Sequence, residues 1–226
     1  MNRQPRRHRR MSKPACVVYD LDGTLVHGDV GHAFIKQLLT DTWYRMLLAA
    51  IVTPLLMPLM KTVRWRKLGI SGFLWVASVG RASRIPGLAS TCAANYPMRI
   101  LPAATKRLRA DLERGETVVV ATGALDLLAL GLLARLDLPR QPVLVASTIR
   151  FGWGGYVIDR QCNGADKVKA LADDGYPAPF DCAYSDAMID WPLLAAARTP
   201  ILVSDDAETI AAMRARIGAH LEIIAP

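Results

Sequence analysis

CVVYDLDGT, residues 16–24, is the stretch that decides the fold. Four uncharged residues lead into Asp20, and a continuous apolar run of this length is typical of a buried parallel strand. Asp22 follows closely, Gly23 permits a tight turn, and Thr24 offers a hydroxyl. Because ligands bind at the carboxyl ends of strands in open α/β sheets, the stretch predicts a phosphate site there. Taken alone, it also fits two loop aspartates that cap a helix.

Similar apolar runs recur along the chain and alternate with helical patterns. The runs cover residues 117–122, 143–147, 180–185 and 200–204, and the helical patterns cover 103–114, 125–136, 165–173, 191–197 and 207–217. Strands that alternate with helices indicate an α/β fold with a doubly wound, Rossmann-like parallel sheet. Residues 149–151 and 156–158 flank a glycine-rich turn and predict a small hairpin.

The distance between the first strand and its next helix–strand unit is about 75 residues, too long for a simple loop. Residues 28–98 are therefore expected to form an inserted helical cap subdomain. The core then comprises residues 15–27 and 99–226. Residues 1–14 form a basic N-terminal tail, open to interpretation as a solvated segment or as a tether to anionic lipid headgroups. Met11 is an alternative start that would delete most of this tail.

Composition narrows the class of partner. The 226 residues carry a formal net charge of +8 and are 52% hydrophobic, which excludes a disordered chain and favours an anionic partner. No basic face interleaved with aromatic residues is present, so we expect no nucleic-acid partner. The cysteines and histidines lack metal-ligand spacing, which indicates reduced thiols in a cytoplasmic protein.

Residues 46–60, MLLAAIVTPLLMPLM, form an uncharged segment inside the cap. A helix of this length reaches about 22 Å, short of a hydrocarbon core of roughly 30 Å, and Pro54 and Pro58 are expected to break it. A single span would also separate strands that must join one sheet. The segment therefore packs internally, enters and leaves one leaflet, or pairs with residues 70–79. Flanking aromatic and basic residues favour membrane contact over a buried cap helix.

Three further strand ends or helix starts carry polar groups. Thr122 and Gly123 end the second run, where a hydroxyl and a backbone N–H suit a phosphoryl oxygen. Lys167 opens a helix, and its ammonium there would neutralise phosphoryl and nucleophile charge. Asp186 and Asp190 follow the fourth run and supply the hard oxygen ligands that Mg²⁺ prefers. Taken alone, Lys167 also fits an ordinary surface lysine, and Asp186 also fits an aspartate that caps a helix.

The order of these four motifs resembles the signature of the haloacid dehalogenase (HAD) superfamily, over residues 16–190. A helical cap between the first and second motifs is similar to the subfamily that includes phosphoserine phosphatases. The resemblance implies that Asp20 attacks phosphorus and that Asp22 protonates the leaving alcohol and then deprotonates water. It also implies that Asp20, the Asp22 carbonyl and Asp186 hold Mg²⁺. The other implied site residues are Thr122, Gly123 and Lys167 on the phosphoryl oxygens, with Thr24 and Asp190 in support.

Three stretches are also similar to the phosphatidylglycerophosphatase C family, membrane-associated enzymes within this superfamily. They are the apolar segment followed by residues 64–65 and 72–75, LVASTIR at 144–150 with Gly154 and Gly155, and CNGADKV at 162–168. This resemblance implies a Mg²⁺-dependent phosphomonoesterase that converts phosphatidylglycerophosphate to phosphatidylglycerol. It would act on a phospholipid phosphate at an anionic membrane surface, the cytoplasmic face of the inner membrane. Ala124 and Ala187 stand where related enzymes often carry serine, which puts fine substrate positioning in doubt.

Two other functions fit the sequence. One is a soluble, cytoplasmic phosphatase similar to phosphoserine phosphatase, acting on a small metabolite. The other is a non-catalytic membrane-binding scaffold, against which the intact carboxylates and lysine argue. For a lipid substrate, the candidates to hold the headgroup are Arg64, Arg66, Lys67, Arg81 and Arg84. The alternative for most of these five residues, and the more usual role of such side chains, is solvated surface charge.

Overall fold

The computed structural model describes residues 15–226, so the predicted basic tail at residues 1–14 lies outside it. The strands are β1 (Cys16–Tyr19), β2 (Thr117–Leu125), β3 (Val143–Gly152), β4 (Gly155–Arg160), β5 (Phe180–Ser185), β6 (Ala197–Val203) and β7 (Glu222–Ile224). They form a seven-stranded sheet in the order β4-β3-β2-β1-β5-β6-β7. All neighbours pair in parallel except β3 and β4, which form the antiparallel hairpin. The predicted α/β class is confirmed.

Helices connect the strands and also fill the long interval after β1. They are α1 (Val30–Thr40), α2 (Trp43–Met60), α3 (Val63–Ser78), α4 (Ile85–Asn95), α5 (Pro102–Glu113), α6 (Asp126–Leu133), α7 (Ala165–Asp173), α8 (Trp191–Ala195) and α9 (Ala207–Ile217), with 3₁₀ turns at Ala82–Arg84 and Met188–Asp190. Helices α1 to α4 occupy the interval predicted as the cap. In the remainder of the described chain, single helices link successive parallel strands, as a doubly wound sheet requires.

Strand β1 lies in the middle of the sheet, and both of its faces are covered. Val17 and Tyr19 point to one side, where they join an apolar core with α5, α6 and the helices of the cap interval. Val18 points to the other side and packs with residues of α7, α8 and α9. Burial on both faces explains why the strand shows no alternation of polar and apolar residues.

Helices α2 and α3 form an antiparallel hairpin, which matches the third arrangement considered for the apolar segment. Arg45, near the start of α2, is buried and donates to carbonyls at the end of α3: Val76 O at 2.8 Å, Ala77 O at 3.2 Å and Val79 O at 3.0 Å. Carbonyls in the last turn of a helix have no partner within the helix, so this guanidinium satisfies them. Arg45 therefore fastens one end of the hairpin.

The prediction that Pro54 and Pro58 break the helix is wrong, because α2 runs through both of them. Proline has a φ compatible with a helix, and what it removes is one backbone hydrogen bond at each position. Ala49, Val52, Leu56 and Met60 form an inner stripe of α2 that packs against the apolar core. Packing along that stripe offsets the two lost hydrogen bonds. A prediction from local helix propensity does not include this tertiary packing.

The opposite side of α2 is apolar and exposed. Leu47, Ile51 and Leu55, spaced four residues apart, are 55%, 64% and 72% exposed. By length and composition α2 could cross a membrane, and it is the helix among residues 15–226 that meets this criterion. A helix that is apolar all round requires an apolar environment on every side, and the core covers the inner stripe alone. The outer face, defined by these three leucine and isoleucine side chains, is left without cover from the described chain.

A pair of glycine substitutions tests how closely α2 and α3 approach. A methyl group on Gly69 would lie 2.8 Å from Met60 Cγ and 3.1 Å from the carbonyl oxygen of Leu56, whereas one on Gly87 in α4 meets nothing within 4 Å. We expect Gly69→Ala to lower the free energy of unfolding by about 1–3 kcal/mol through overpacking. Gly87→Ala should raise it by about 0.5–1 kcal/mol through helix propensity. Denaturant titration followed by circular dichroism measures both, and equal effects would contradict the close approach.

Candidate active site

Two neighbouring strands deliver the first carboxylates of the site. Tyr19 and Tyr184 pair in register on β1 and β5, and their rings stack with centroids 4.1 Å apart. Just beyond them, the backbone N–H of Asp20 donates to the Tyr184 carbonyl at 3.0 Å. The two loops that begin at Asp20 and at Asp186 therefore leave the sheet side by side. Thr24 Oγ1 donates to Asp186 Oδ1 at 3.1 Å and ties the first loop to the second.

Gly23 permits this close approach of the two loops. Its φ is +75°, which favours glycine. A Cβ atom at position 23 would lie 2.1 Å from Asp186 Oδ2, far inside van der Waals contact. The Asp186 carboxylate therefore lies in the space that any other residue at position 23 would fill.

Lys167 lies between two acidic side chains in the interior. Its Nζ is 2.8 Å from Asp20 Oδ2 and 2.5 Å from Asp190 Oδ2. Asp190 is fixed further by the backbone N–H of Gly164, which donates at 2.9 Å, and by Ser185 Oγ, which donates at 3.0 Å. The helix start at α7 and the turn after β5 are thus joined directly to the end of β1.

Burial and neighbouring charges together determine the pKa values of Asp20, Asp190 and Lys167, and the balance differs between the three groups. Burial raises the pKa of Asp20 well above its usual range, although Lys167 opposes the shift. Burial would also raise the pKa of Asp190, but Lys167 outweighs burial and lowers it. The pKa of Lys167 is raised, because Asp20 and Asp190 outweigh the effect of burial. Asp190 is therefore the ionised partner that keeps the lysine charged beside Asp20.

Asp22 has a different environment from its neighbour Asp20. Its Oδ1 accepts from the backbone N–H of Val30 at 3.2 Å, at the start of α1. Burial raises the pKa of Asp22 to about 7. A carboxyl group with this pKa holds a proton for part of the time near neutrality and can both give and take one, as general acid–base catalysis requires.

The predicted phosphoryl-binding residues lie where the pairing of β2 with β3 becomes irregular. Thr122 pairs with Ala146, but the next paired residue of β2 is Leu125, so Gly123 and Ala124 bulge out of the register. The backbone N–H of Ala124 donates to Thr122 Oγ1 at 3.0 Å. Gly123 is exposed and lines the same cavity as Asp20 and Lys167.

The carboxyl groups here fit a hard divalent cation. Asp20, Asp22, Asp186 and Asp190 all line one cavity. Within residues 15–226, Lys167 is the cationic side chain that forms an ion pair with any of them, and it pairs with Asp20 and Asp190. Burial raises the pKa of Asp186, although the hydrogen bond from Thr24 and the charge of Lys167 act to lower it. No three acidic, histidine or cysteine side chains of the described chain form a complete metal cage. Mg²⁺ needs no such cage, because it keeps water and substrate oxygens among its ligands.

A cavity of about 1060 Å³ extends from these carboxylates to helices α1, α2 and α3. None of the five cap cations proposed to hold a headgroup is among its described lining residues. Arg81, for example, donates to the carbonyls of Leu38 and Ala77 and pairs with Asp41. The basic groups of the cap interval that do line the cavity are His32 and Lys36 on α1. Their 4-residue spacing on a helix that starts just after the first motif was an available sequence signal.

Ser185 and Gly164 are two further residues that sequence reasoning left unassigned. Both hold Asp190 rather than facing the phosphate site, and nothing local distinguishes a serine or glycine that binds a carboxylate from one in an ordinary loop. All eight predicted site residues are brought together around this end of the sheet. They are Asp20, Asp22, Thr24, Thr122, Gly123, Lys167, Asp186 and Asp190.

Several solved structures have the same fold, and the similarity covers nearly the whole chain. A protein of unknown function from Bordetella pertussis Tohama I superposes with a TM-score of 0.69 at 19% identity, over 94% of this chain and 99% of that one. A HAD family hydrolase from Salmonella enterica serovar Typhi gives a TM-score of 0.62 at 19% identity, over 94% and 68%. A substrate-bound phosphoserine phosphatase gives 0.56 at 12% identity, over 93% of each chain.

Sequence comparison assigns the family independently of these folds. Residues 17–195 match the haloacid dehalogenase-like hydrolase family. The match spans the stretch from β1 to α8 and includes all eight predicted site residues. The predicted membership of this superfamily is confirmed, and the chain belongs to the haloacid dehalogenase-like hydrolases.

Proposed function

We propose that this hydrolase is a Mg²⁺-dependent phosphomonoesterase whose substrate is a phospholipid phosphate, most specifically phosphatidylglycerophosphate, which it converts to phosphatidylglycerol. The observation that carries the proposal is the cavity, which joins the Asp20 carboxylate to an apolar wall formed by the cap helices. Phosphatase chemistry is further supported by the fold shared with phosphoserine phosphatases.

The reaction divides into two displacements at phosphorus. Asp20 attacks phosphorus while the bond to the alcohol oxygen breaks, and the Asp22 carboxyl gives its proton to that oxygen. The resulting Asp22 carboxylate then takes a proton from water, whose oxygen attacks the aspartyl-phosphate and releases inorganic phosphate. Lys167, the Thr122 hydroxyl and the Gly123 N–H hold the phosphoryl oxygens. Asp190 keeps Lys167 in place through the 2.5 Å contact.

A bound Mg²⁺, held by the Asp20 and Asp186 carboxylates and the Asp22 carbonyl, would offset negative charge on the phosphoryl group. Thr24 keeps Asp186 in position through its 3.1 Å hydrogen bond. Asp20 therefore has two roles, as the nucleophile and as a ligand to the metal ion.

The outer face of α2 supports a site of action on a membrane, proposed as the cytoplasmic face of the inner membrane. Strands β1 and β2 pair directly, so the chain between them must leave and return on one side of a bilayer. Helix α2 would therefore lie in the interface with Leu47, Ile51 and Leu55 in contact with lipid. Lys61 and Arg64 follow α2 and are exposed, as binding to anionic headgroups requires.

Substitution of the nucleophile tests the chemistry and a substrate panel tests the specificity. Phosphate release is measured in detergent from phosphatidylglycerophosphate, phosphatidate, lysophosphatidate and phosphoserine, with Mg²⁺ and with a chelator. We expect the highest kcat/KM on phosphatidylglycerophosphate, a loss of activity on chelation, and none above background for Asp20→Asn. Asp173→Asn, an exposed change on α7, is the matched control. Activity that survives Asp20→Asn, or activity on phosphoserine alone, would refute the chemistry or the substrate respectively.

Removal of the buried ammonium tests the role given to Lys167. Lys167→Met leaves Asp20 and Asp190 without their shared cation and takes one donor from the phosphoryl group. We expect phosphate release to fall by about 10²–10³-fold and the free energy of unfolding by about 3–5 kcal/mol. Lys169→Met, two residues along the same helix and exposed, should change either quantity little. Activity of Lys167→Met within a few-fold of the unsubstituted enzyme would count against the assignment.

A vesicle-binding assay tests the outer face of α2. Ile51→Glu combined with Leu55→Glu replaces two exposed apolar side chains by charges that resist transfer out of water. We expect the unsubstituted protein to sediment with vesicles of phosphatidylglycerol and phosphatidylcholine, and the double variant to stay largely in the supernatant. Leu130→Glu, on α6 and 58% exposed, is the control and should sediment normally. Equal sedimentation of the double variant would place the membrane contact elsewhere.

A further inference from the structure

The cavity that contains Asp20 has a second, apolar end. There it is lined by side chains of three helices of the cap interval, which we call the apolar limb: Ile35, Leu39, Ala49, Met57, Met60, Ile70 and Phe73. Leu39 and Phe73 are each only 9% exposed, yet both line the cavity, so this end penetrates below the surface of the cap. The carboxylates and the limb are therefore two ends of one space.

Helix α1 supplies both kinds of lining, arranged as two adjacent stripes. His32, Lys36 and Thr40 follow one another at 4-residue intervals and form a polar, partly cationic stripe. Ile35 and Leu39 form an apolar stripe beside it at the same interval. Residues four apart lie on the same face of a helix, so each stripe runs along the helix axis. A ligand that fits this wall has an anionic, hydroxylated part next to a hydrocarbon part.

The size of the cavity also distinguishes the ligands. Sites for small molecules typically measure about 300–1,000 Å³, and this cavity, at about 1060 Å³, is slightly larger than that range. A small phosphorylated metabolite bound at Asp20 would leave the apolar limb unfilled. The walls contributed by Met57 and Met60 are flexible thioether side chains, which adapt to hydrocarbon of varying shape.

The limb reaches the surface beside the outer face of α2. Met57 lines the cavity and is 46% exposed, whereas Ala49 and Met60 on the same helix are partly buried. A hydrocarbon chain that passes Met57 would enter the limb sideways from the lipid in contact with α2. It would not need to cross the aqueous phase.

We infer that the apolar limb holds one acyl chain of the substrate while its phosphoryl group lies at Asp20. The inference rests on the proposed lipid phosphatase function and goes beyond it. It states that the enzyme takes a chain out of the bilayer, and that Ala49 and Met57 help to determine which chains are accepted. A headgroup lifted from the membrane with both chains left behind would have no use for the limb.

A matched pair of tryptophan substitutions tests the occupant. Ala49→Trp places an indole in the limb, and Ala50→Trp places one at the next residue, which is exposed and does not line the cavity. Initial rates are measured in one detergent on 1-oleoyl lysophosphatidate and on glycerol 3-phosphate, which share the phosphoryl end but differ in the chain. We expect Ala49→Trp to lower the ratio of kcat/KM for the two substrates by about tenfold or more, and Ala50→Trp to preserve it. An unchanged ratio in Ala49→Trp would overturn the inference.

A second variant keeps the test informative if Ala49→Trp misfolds. Met57→Ala removes a half-exposed side chain at the mouth of the limb and enlarges it. With lysophosphatidates of increasing chain length, we expect the optimum to shift to longer chains, and an unchanged profile would overturn the inference. Failure of the proposed function gives a different result, because the unsubstituted enzyme would then not prefer chain-bearing substrates. An enzyme that prefers them, with variants that do not alter the preference, refutes the limb alone.

Discussion

The parallel pairing of β1 with β2 is the constraint on which the rest of the molecule depends. Cys16 lies opposite Thr117, so the chain between them must depart from the end of β1 and come back to the same sheet. Helices α1 to α4 accordingly fold over the carboxyl end of the central strand, where Asp20 lies. The same pairing allows an apolar helix to lie on a bilayer and prevents it from carrying the chain across. Catalytic carboxylates and an apolar surface are thus brought close together by one connection.

Lys167 connects the parts of the site, as β1 connects the parts of the fold. Its ammonium contacts carboxylates that follow two different strands, and the helix that carries it follows the β3–β4 hairpin. Because the group is buried, misplacement of any one partner leaves an uncompensated charge in the interior. The geometry of the nucleophile is therefore coupled to the positions of β1, β5 and α7. This coupling explains how a site can be precise although its residues lie far apart in sequence.

Sequence reasoning predicted those parts of the structure that local patterns determine. The runs before Asp20 and Asp186 are strands, and α7 and α9 begin and end where the patterns placed them. It failed where packing between distant segments decides. Helix α2 continues through Pro54 and Pro58, and the short strand β7 has too few residues to show a pattern. From charge alone, the cap cations fitted either headgroup binding or solvated surface charge, whereas Arg81 binds carbonyls and Asp41, contacts that only the folded chain reveals.

Gly23 carries a consequence for how such a motif can change. Its positive φ alone would tolerate asparagine or aspartate at a modest energetic cost. The Asp186 carboxylate, however, occupies the volume beside its Cα, so a larger residue at position 23 requires the Asp186 side chain to move or to be replaced. A substitution of Gly23 would therefore displace the carboxylate to which Thr24 donates its hydrogen bond. A residue inside a short local motif is thus constrained by a side chain from a distant part of the sequence.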